Sequence, residues 1–172
     1  DRLPQLTANY TKYNLPGGFD FTIDADYTRF HGDPALQRLL YPGRPDQPDA
    51  ERMFAVGAIS RPFLTPGTFV IPKLMLNGTA YQFDADYFGR ASATRVLPTF
   101  SLDSGLIFER DTNFFGRAFT QTLEPRAFYT YTPFKDQSQL PVYDTAQNDF
   151  NFATIYTENV YSGNDRIADN NM

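Results

Sequence analysis

Two pairs of charged side chains have a spacing that chemistry could use. Asp24 and Asp26 lie two residues apart, so both carboxylates would face the same side of an extended strand. Two such carboxylates could act as the general acid and base of a glycoside hydrolase. A strand with one solvated face produces the same spacing without any chemistry. Glu124 and Arg126 repeat the pattern as an ion pair that either orders the protein or contributes under about 1 kcal/mol at the surface.

The long segment 134–171 is acidic, and its carboxylates are candidate ligands for a cation. The acids there are Asp136, Asp144, Asp149, Glu158, Asp165 and Asp169, against the two basic residues Lys135 and Arg166. Their spacing lacks the compact Asp-x-Asp-x-Asp-Gly pattern of a calcium loop. His31 is the single histidine, so a catalytic triad or a zinc site would lack a second imidazole. We therefore predict no metal, no cofactor and no catalytic residue.

Composition excludes several function classes. The net charge is −5 without a basic cluster, which argues against a nucleic-acid partner. No cysteine is present, so this chain supplies no disulfide and no thiolate metal site. Aromatic residues make up 16% of the chain although the mean hydropathy is negative. Apolar and polar residues must therefore be interleaved rather than segregated.

This interleaving has a period of two, which is typical of β-strands. It is clearest from Phe19 to Thr28, where Phe21, Ile23 and Ala25 alternate with polar neighbours. The same criterion gives six strands, at about 5–13, 19–30, 52–63, 69–83, 95–110 and 119–132. Strands of about 9–11 residues can cross a bilayer when tilted. The sequence thus predicts an all-β, antiparallel meander.

The connectors alternate in length. Short links near 14–18, 64–67 and 111–117 alternate with longer ones at 31–50, 84–94 and 134–171. Outer-membrane barrels have short periplasmic turns and longer extracellular loops, so this rhythm predicts six consecutive transmembrane strands. The second, fourth and sixth strands would then run outward. Prolines at Pro72, Pro98 and Pro125 remove ladder donors and predict local bulges or bends.

In such a barrel the polar strand faces would line the lumen. The predicted lumen-facing residues are Thr22, Asp24, Asp26, Thr99, Ser101, Asp103, Thr122, Glu124 and Arg126. The segment 134–171 is too long for an ordinary connector, so it is either disordered or functional. Its apolar side chains, among them Tyr143, Phe150 and Tyr156, favour an ordered loop that packs against the strands.

Several blocks of residues resemble one known family. They are Thr120–Gln139, Pro141–Asp144 (PVYD), Asp149–Phe152 (DFNF) and Ser162–Ala168 (SGNDRIA), with Ile107–Asp111 (IFERD) upstream. In this order they are similar to the barrel domain of LptD, the outer-membrane lipopolysaccharide-assembly family of Gram-negative bacteria. The resemblance implies that residues 1–172 are the middle part of that C-terminal barrel domain, an incomplete fragment of a large outer-membrane β-barrel.

The resemblance also implies partners. The family takes lipopolysaccharide (LPS) from a periplasmic bridge protein of the LptA type, and its barrel encloses a plug lipoprotein of the LptE type. In the family, LPS leaves through an opening between the first and last strands of the barrel. The resemblance predicts that these strands, and the domain that meets the bridge, lie outside residues 1–172. The candidate plug contacts are Lys135, Asp136, Gln137, Ser138, Pro141 and Asp144, and the candidates for ordering the loop are Asp149, Phe150, Asp165 and Arg166.

Two other classes remain open at this stage. A soluble all-β carbohydrate-binding module would bury the Phe/Ile face of the second strand under another sheet. A β-rich glycoside hydrolase would bring Asp24 and Asp26 into a pocket with a convergent acid and base. The outer-membrane prediction differs from both because it requires one face of the sheet to contact lipid.

Overall fold

The computed structural model describes residues 2–40, 42–43 and 45–170, and within them the protein is built from nine strands and one short helix. The strands are β1 (Arg2–Leu15), β2 (Phe19–Phe30), β3 (Ala50–Ser60), β4 (Phe63–Thr65), β5 (Thr68–Tyr87), β6 (Arg90–Leu106), β7 (Phe108–Phe114), β8 (Arg117–Leu123) and β9 (Arg126–Tyr131). The helix is α1 (Pro34–Leu40). The predicted all-β class is confirmed.

Seven of the strands form one antiparallel sheet. Its order is β1-β2-β3-β5-β6-β9, and β4 pairs with β5 beside β3. The order follows the sequence, as in a meander, except that β4 continues the line of β3 and that β7 and β8 lie outside the sheet between β6 and β9. Within the described residues the sheet is open, because β1 and β9 are its two edges.

The two faces of this sheet differ in chemistry. The register places one set of large apolar side chains on a single face, and these remain between 38% and 66% exposed. We call this the apolar face; its members include Leu6, Tyr10, Ile23, Met53, Leu74, Leu76, Val96, Phe100 and Tyr129. The opposite, polar face carries buried Asp26, Thr28, Arg52, Asn77, Thr79, Arg95, Thr99 and Ser101. The alternation in the sequence thus separates two environments across the sheet.

The buried polar face is covered by the segment after β9. Residues 132–170, which we call the loop, contain no strand and only one isolated bridge, between Gln147 and Tyr161. A small apolar cluster lies between sheet and loop, where Leu140 of the loop packs with Tyr81 and Phe83 of β5. Within the described residues, no helix has the length and apolar character needed to cross a membrane.

Three predicted strands are wrong as single elements. The strand predicted at 52–63 is observed as β3 and β4, which are separated by Arg61 and Pro62. The strand predicted at 95–110 is observed as β6 and β7. The strand predicted at 119–132 is observed as β8 and β9. The structure therefore has nine strands where six were predicted.

The β7–β8 hairpin continues the β6–β9 hairpin. Both strand pairs keep the same register. Strand structure is interrupted between them only at Ile107 on one side and at Glu124–Pro125 on the other. Across this interruption, Leu106 N donates to Pro125 O at 3.0 Å. Because β5 begins opposite Leu106, β7 and β8 extend beyond the sheet as a two-stranded ribbon. At about 3.3 Å per residue the ribbon projects on the order of 25 Å.

Two predicted boundaries also change. The connector predicted at 84–94 is mostly strand, since β5 reaches Tyr87 and β6 begins at Arg90 after the two-residue turn Phe88–Gly89. The first strand is longer than the predicted 5–13, because β1 runs from Arg2 to Leu15. The connector 31–49 contains α1, whose first turn is capped by Asp33 Oδ1 accepting from Ala35 N at 2.9 Å.

The prolines act differently from the prediction at two of three positions. The β5–β6 register is unshifted through Pro72 and Pro98, so the predicted bulges are absent from this described part of the ladder. Pro72 lies where β3 gives way to β4. Pro98 lies two residues after Val96, so their backbone groups point to the same side of β6. On that side the Val96 carbonyl accepts from Lys135 and not from a strand. At neither Pro72 nor Pro98 is the missing N–H therefore required for a ladder hydrogen bond. Pro125 does interrupt its strand.

Candidate functional site

The loop is anchored to the polar face, and its two ends meet. Asn170 N donates to Thr132 O at 3.2 Å, and Thr132 N donates to Asn170 Oδ1 at 2.7 Å. The Asn170 amide also donates to Thr130 O on β9 at 3.1 Å. The Thr132 hydroxyl bonds that of Thr99 on β6 at 2.9 Å. The chain therefore leaves β9 and returns to the same place.

Arg52 on β3 is the main anchor for the loop. Its guanidinium donates to both carboxylate oxygens of Asp144 at 2.7 Å and to Asp165 Oδ1 at 2.8 Å. A third carboxylate, Asp26 of β2, accepts at 3.2 Å. Only 1% of the Arg52 side chain is exposed. Removing one member of such a buried set leaves an uncompensated charge, which costs about 3–5 kcal/mol.

Asp165 receives donors from both the sheet and the loop. Tyr81 of β5 donates its hydroxyl to Oδ1 at 2.6 Å, beside Arg52. The backbone N–H groups of Tyr143 and Asp144 donate to Oδ2 at 2.7 and 2.9 Å. The Asp165 carboxylate is fully buried and joins two turns of the loop to strands β3 and β5 of the sheet.

The two loop carboxylates have opposite pKa shifts. Burial acts to raise the pKa of Asp144, but its hydrogen bonds and its proximity to the Arg52 guanidinium lower that pKa to about 2. Burial raises the pKa of Asp165, and the nearby Asp144 charge raises it further. Asp144 is therefore the carboxylate whose ionised form the site favours most.

Arg95 on β6 provides a second anchor. It donates to the loop at Gln137 Oε1 (2.8 Å), at Asp165 O (2.6 Å) and at Asn164 O (3.0 Å), and to Thr79 Oγ1 of β5 at 3.0 Å. Its side chain is also fully buried. We call Asp26, Arg52, Tyr81, Arg95, Asp144 and Asp165 the clasp.

A third contact lies further along the strands, toward the short turns. Lys73 Nζ of β5 donates to Glu158 Oε1 at 2.7 Å, and Ser101 Oγ of β6 donates to the same oxygen at 3.1 Å. Burial acts to raise the pKa of Glu158, but Lys73 lowers it below its usual value. The Arg126 guanidinium lies 4.1 Å from the ring centroid of Tyr156. The loop is thus anchored at both ends of the polar face.

The structure divides the predicted lumen-facing residues. Asp26, Thr99 and Ser101 lie on the polar face under the loop. The set also includes half-buried Thr22 and exposed Asp24, which accepts from Asn9 across β1 and β2. Thr122 and Glu124 lie outside the sheet, on β8 and at its end, and both are exposed.

Both charged pairs singled out in the sequence have other partners. Arg126 does not pair with Glu124 but makes a two-point contact with Asp103 on β6, at 2.8 and 2.6 Å. Asp26 is held by Arg52, by Gln5 at 2.7 Å and by Thr28 at 2.7 Å. Its oxygens are occupied, so it is not placed to exchange protons with a substrate.

The loop candidates also separate into buried and exposed groups. Gln137, Pro141 and Asp144 point toward the sheet, whereas Lys135, Asp136 and Ser138 are exposed. Arg166 donates to the carbonyls of Leu140 and Pro141 at 2.7 and 3.1 Å, so it orders the loop internally. Asp149 and Phe150 lie at an exposed turn, and the Phe150 side chain is 84% exposed.

Sequence reasoning missed three clasp residues, namely Arg52, Tyr81 and Arg95. Arg95 lies four residues before Thr99 and therefore on the same face of β6. Extending the predicted polar face by those four residues would have found it. Arg52 is the first residue of the strand predicted at 52–63, whose polar and apolar residues alternate poorly. No local pattern therefore marks Arg52 as a buried residue. In the described part of the chain, no group of His, Cys, Asp or Glu side chains is arranged to hold a metal ion.

Comparison with known proteins identifies the family. The family model described as "LptD: LPS transport system D" matches residues 1–172. The chain is 60% identical to the LPS-assembly protein LptD of Paracidovorax citrulli and 57% identical to that of Acidovorax sp. strain JS42, in each case over 100% of this chain and 20% of the relative. It is 49% identical to that of Ralstonia nicotianae, over 99% of the chain and 20% of the relative. The chain therefore spans about a fifth of the relatives' length, and it belongs to the LptD family.

Proposed function

We propose that this chain forms wall and loop of an outer-membrane barrel that assembles lipopolysaccharide into the outer leaflet. The observation that carries the proposal is the apolar face, where Leu76, Met53 and Val96 remain more than half exposed. A contiguous apolar surface of this size marks contact with a protein or a membrane. Membership of the LptD family favours the membrane.

The dimensions of the apolar face support a lipid contact. On β5 the exposed apolar side chains extend from Val70 to Ala80, and polar Gln82 and Asp84 follow on the same face. At about 3.3 Å per residue this stretch is about 33 Å long, and a tilt of about 40° reduces its height to about 25 Å. That height equals the apolar band of an outer-membrane barrel.

A soluble carbohydrate-binding module fits the exposed face less well. Such a module would need a second sheet to bury Ile23, Met53 and Leu76, and within the described residues none lies there. A glycoside hydrolase fits less well too, because the Asp26 carboxylate is occupied by Arg52 and by its neighbours. We therefore infer transport rather than catalysis.

The proposed partners follow from the family. They are lipopolysaccharide, the outer membrane, a plug lipoprotein of the LptE type, and a periplasmic bridge protein of the LptA type that binds a domain outside this chain. The exposed residues Lys135, Asp136 and Ser138 are the direct plug-contact candidates. Gln137, Pro141 and Asp144 would act on the plug indirectly, by fixing the loop against the wall.

Depletion in the native bacterium tests the function. We expect newly made lipopolysaccharide to accumulate inside the cell and to decrease at the surface, as measured with a surface-specific label. Re-expression of the protein should restore the surface label. Normal surface lipopolysaccharide after complete depletion would contradict the proposed role.

A further inference from the structure

The sheet does not depend on the loop for its backbone hydrogen bonds. Among the described residues, no backbone-to-backbone hydrogen bond joins residues 133–169 to a strand. The ladders from β1 to β9 pair strand with strand throughout. Removing the loop from its position would therefore leave these ladders intact.

The base of the loop is closed independently of its docking. Asn170 is bonded to Thr132 through both its backbone and its side chain, and to Thr130 O on β9. The chain can therefore leave and rejoin the edge of the sheet whether or not the residues between them contact the polar face.

The docked loop is held by a buried set of charged contacts beside an apolar contact. In the clasp, the Arg52 guanidinium contacts the carboxylates of Asp144 and Asp165 in the loop and of Asp26 on β2. The Arg95 guanidinium donates to the loop carbonyls of Asn164 and Asp165. The apolar part of the contact includes buried Leu140 and Ile167, and the Tyr143 ring stacks on Phe30 of β2 with centroids 4.6 Å apart. Charged contacts of this kind have two discrete states, paired and solvated, because a partly broken buried set is costly.

We propose that residues 133–169 are a separable strap, which docks on a completed sheet and is held there by the clasp. When the strap is open, Arg52 and Arg95 face the water-filled side of the sheet, where their polar neighbours Asp26, Thr79 and Thr99 tolerate hydration. When it is docked, it narrows the space on the polar face and fixes the turn that carries Phe150. This inference rests on contacts between loop and sheet and goes beyond the transport role.

Cysteine accessibility in the intact protein tests the strap. Both probe positions lie in the loop: the Ile167 side chain is 5% exposed, whereas the Phe150 side chain is 84% exposed. With other reactive thiols replaced, Ile167→Cys and Phe150→Cys are each labelled with a water-soluble maleimide. The ratio of the two rates reports opening, and resistance to SDS in an unheated gel reports the folded sheet.

The critical variant is Asp165→Asn, which keeps the shape of the side chain but replaces one acceptor oxygen by an NH₂ donor. In either orientation this donor meets other donors, namely the N–H groups of Tyr143 and Asp144 or the Arg52 guanidinium. We expect the labelling ratio to rise by at least about tenfold while the SDS-resistant form is retained. The matched control is Asp149→Asn, an exposed acid of the same loop, which should change nothing. Asp144→Asn provides a second test, since it removes the two-point contact with Arg52.

Two results would overturn the proposal. An unchanged labelling ratio in both Asp165→Asn and Asp144→Asn would show that the clasp does not hold the strap. Loss of the SDS-resistant form together with loop protection would show that sheet and loop fold as one unit. Neither result bears on lipopolysaccharide delivery, which the depletion experiment measures separately.

Discussion

Replacing Leu76 by lysine should destabilise the protein strongly if the apolar face contacts lipid. Leu76 is 55% exposed on β5, one residue from the centre of the stretch between Val70 and Ala80. At about 2.5 Å of depth per residue, its side chain lies about 2.5 Å from the bilayer midplane. A lysine at that depth costs about 2–4 kcal/mol in an outer-membrane barrel.

The matched control is Gln82→Lys on the same strand and the same face. Gln82 lies about 18 Å from the midplane by the same scale, beyond a band whose half-height is about 12 Å. The cost there should be about 0–1 kcal/mol. Leu76→Ala separates the loss of the leucine side chain from the introduction of charge.

Urea titration of the intact protein in lipid vesicles provides the assay. The folded fraction is scored by its altered mobility in unheated SDS gels, and the midpoint gives the change in unfolding free energy. We expect Leu76→Lys to lower the midpoint far more than Gln82→Lys does. Equal and near-zero effects, within about 0.5 kcal/mol, are what an ordinary soluble surface gives and would refute the lipid contact.

Three further predictions concern the loop. Arg52→Met leaves three carboxylates uncompensated and should cost about 3–5 kcal/mol in the same titration, whereas Arg126→Met, at a partly exposed pair, should cost about 1 kcal/mol or less. Because the pKa of Asp144 is lowered to about 2, its contribution to docking should be full above about pH 4 and lost as pH falls toward 2. The raised pKa of Asp165 has the opposite sign, and cleavage of the loop by pepsin, which is active in this acidic range, measures the balance. Asp136→Lys should weaken co-purification of the plug lipoprotein without lowering the urea midpoint, since Asp136 is exposed; unchanged co-purification would remove it as a contact.

The sequence predicted the elements that alternation controls. β2 has the predicted bounds because its polar and apolar residues alternate without a break from Phe19 to Thr28. The sequence did not predict that three strands are each divided in two, because these breaks depend on which strand lies opposite. Pro125 interrupts a ladder, whereas Pro98 does not, because no strand lies opposite the missing donor of Pro98. That difference depends on β9 ending at Tyr131, opposite Phe100, which no local pattern gives.

The site was predicted only in part for a similar reason. A long acidic loop with apolar anchors indicated packing against the strands, and Asp165 and Arg166 do order it. The loop's partners, Arg52 and Arg95, lie far away in sequence, on β3 and β6. The register between those strands sets their separation. A charge in a strand can equally be solvated, so residue type alone does not reveal a buried clasp.

The most direct test of the membrane wall is single-cysteine labelling along β2 in intact outer membranes. Thr22 and Asp24 on the polar face should react with a water-soluble maleimide, while Ile23 and Ala25 should react only with a lipid-soluble probe. Asp26 is omitted because the loop covers it and Arg52 binds it. Alternation between the two probes is the result that the outer-membrane wall predicts. Reaction of Ile23 and Ala25 with the water-soluble probe alone, in a protein that washes off the membrane, would contradict it.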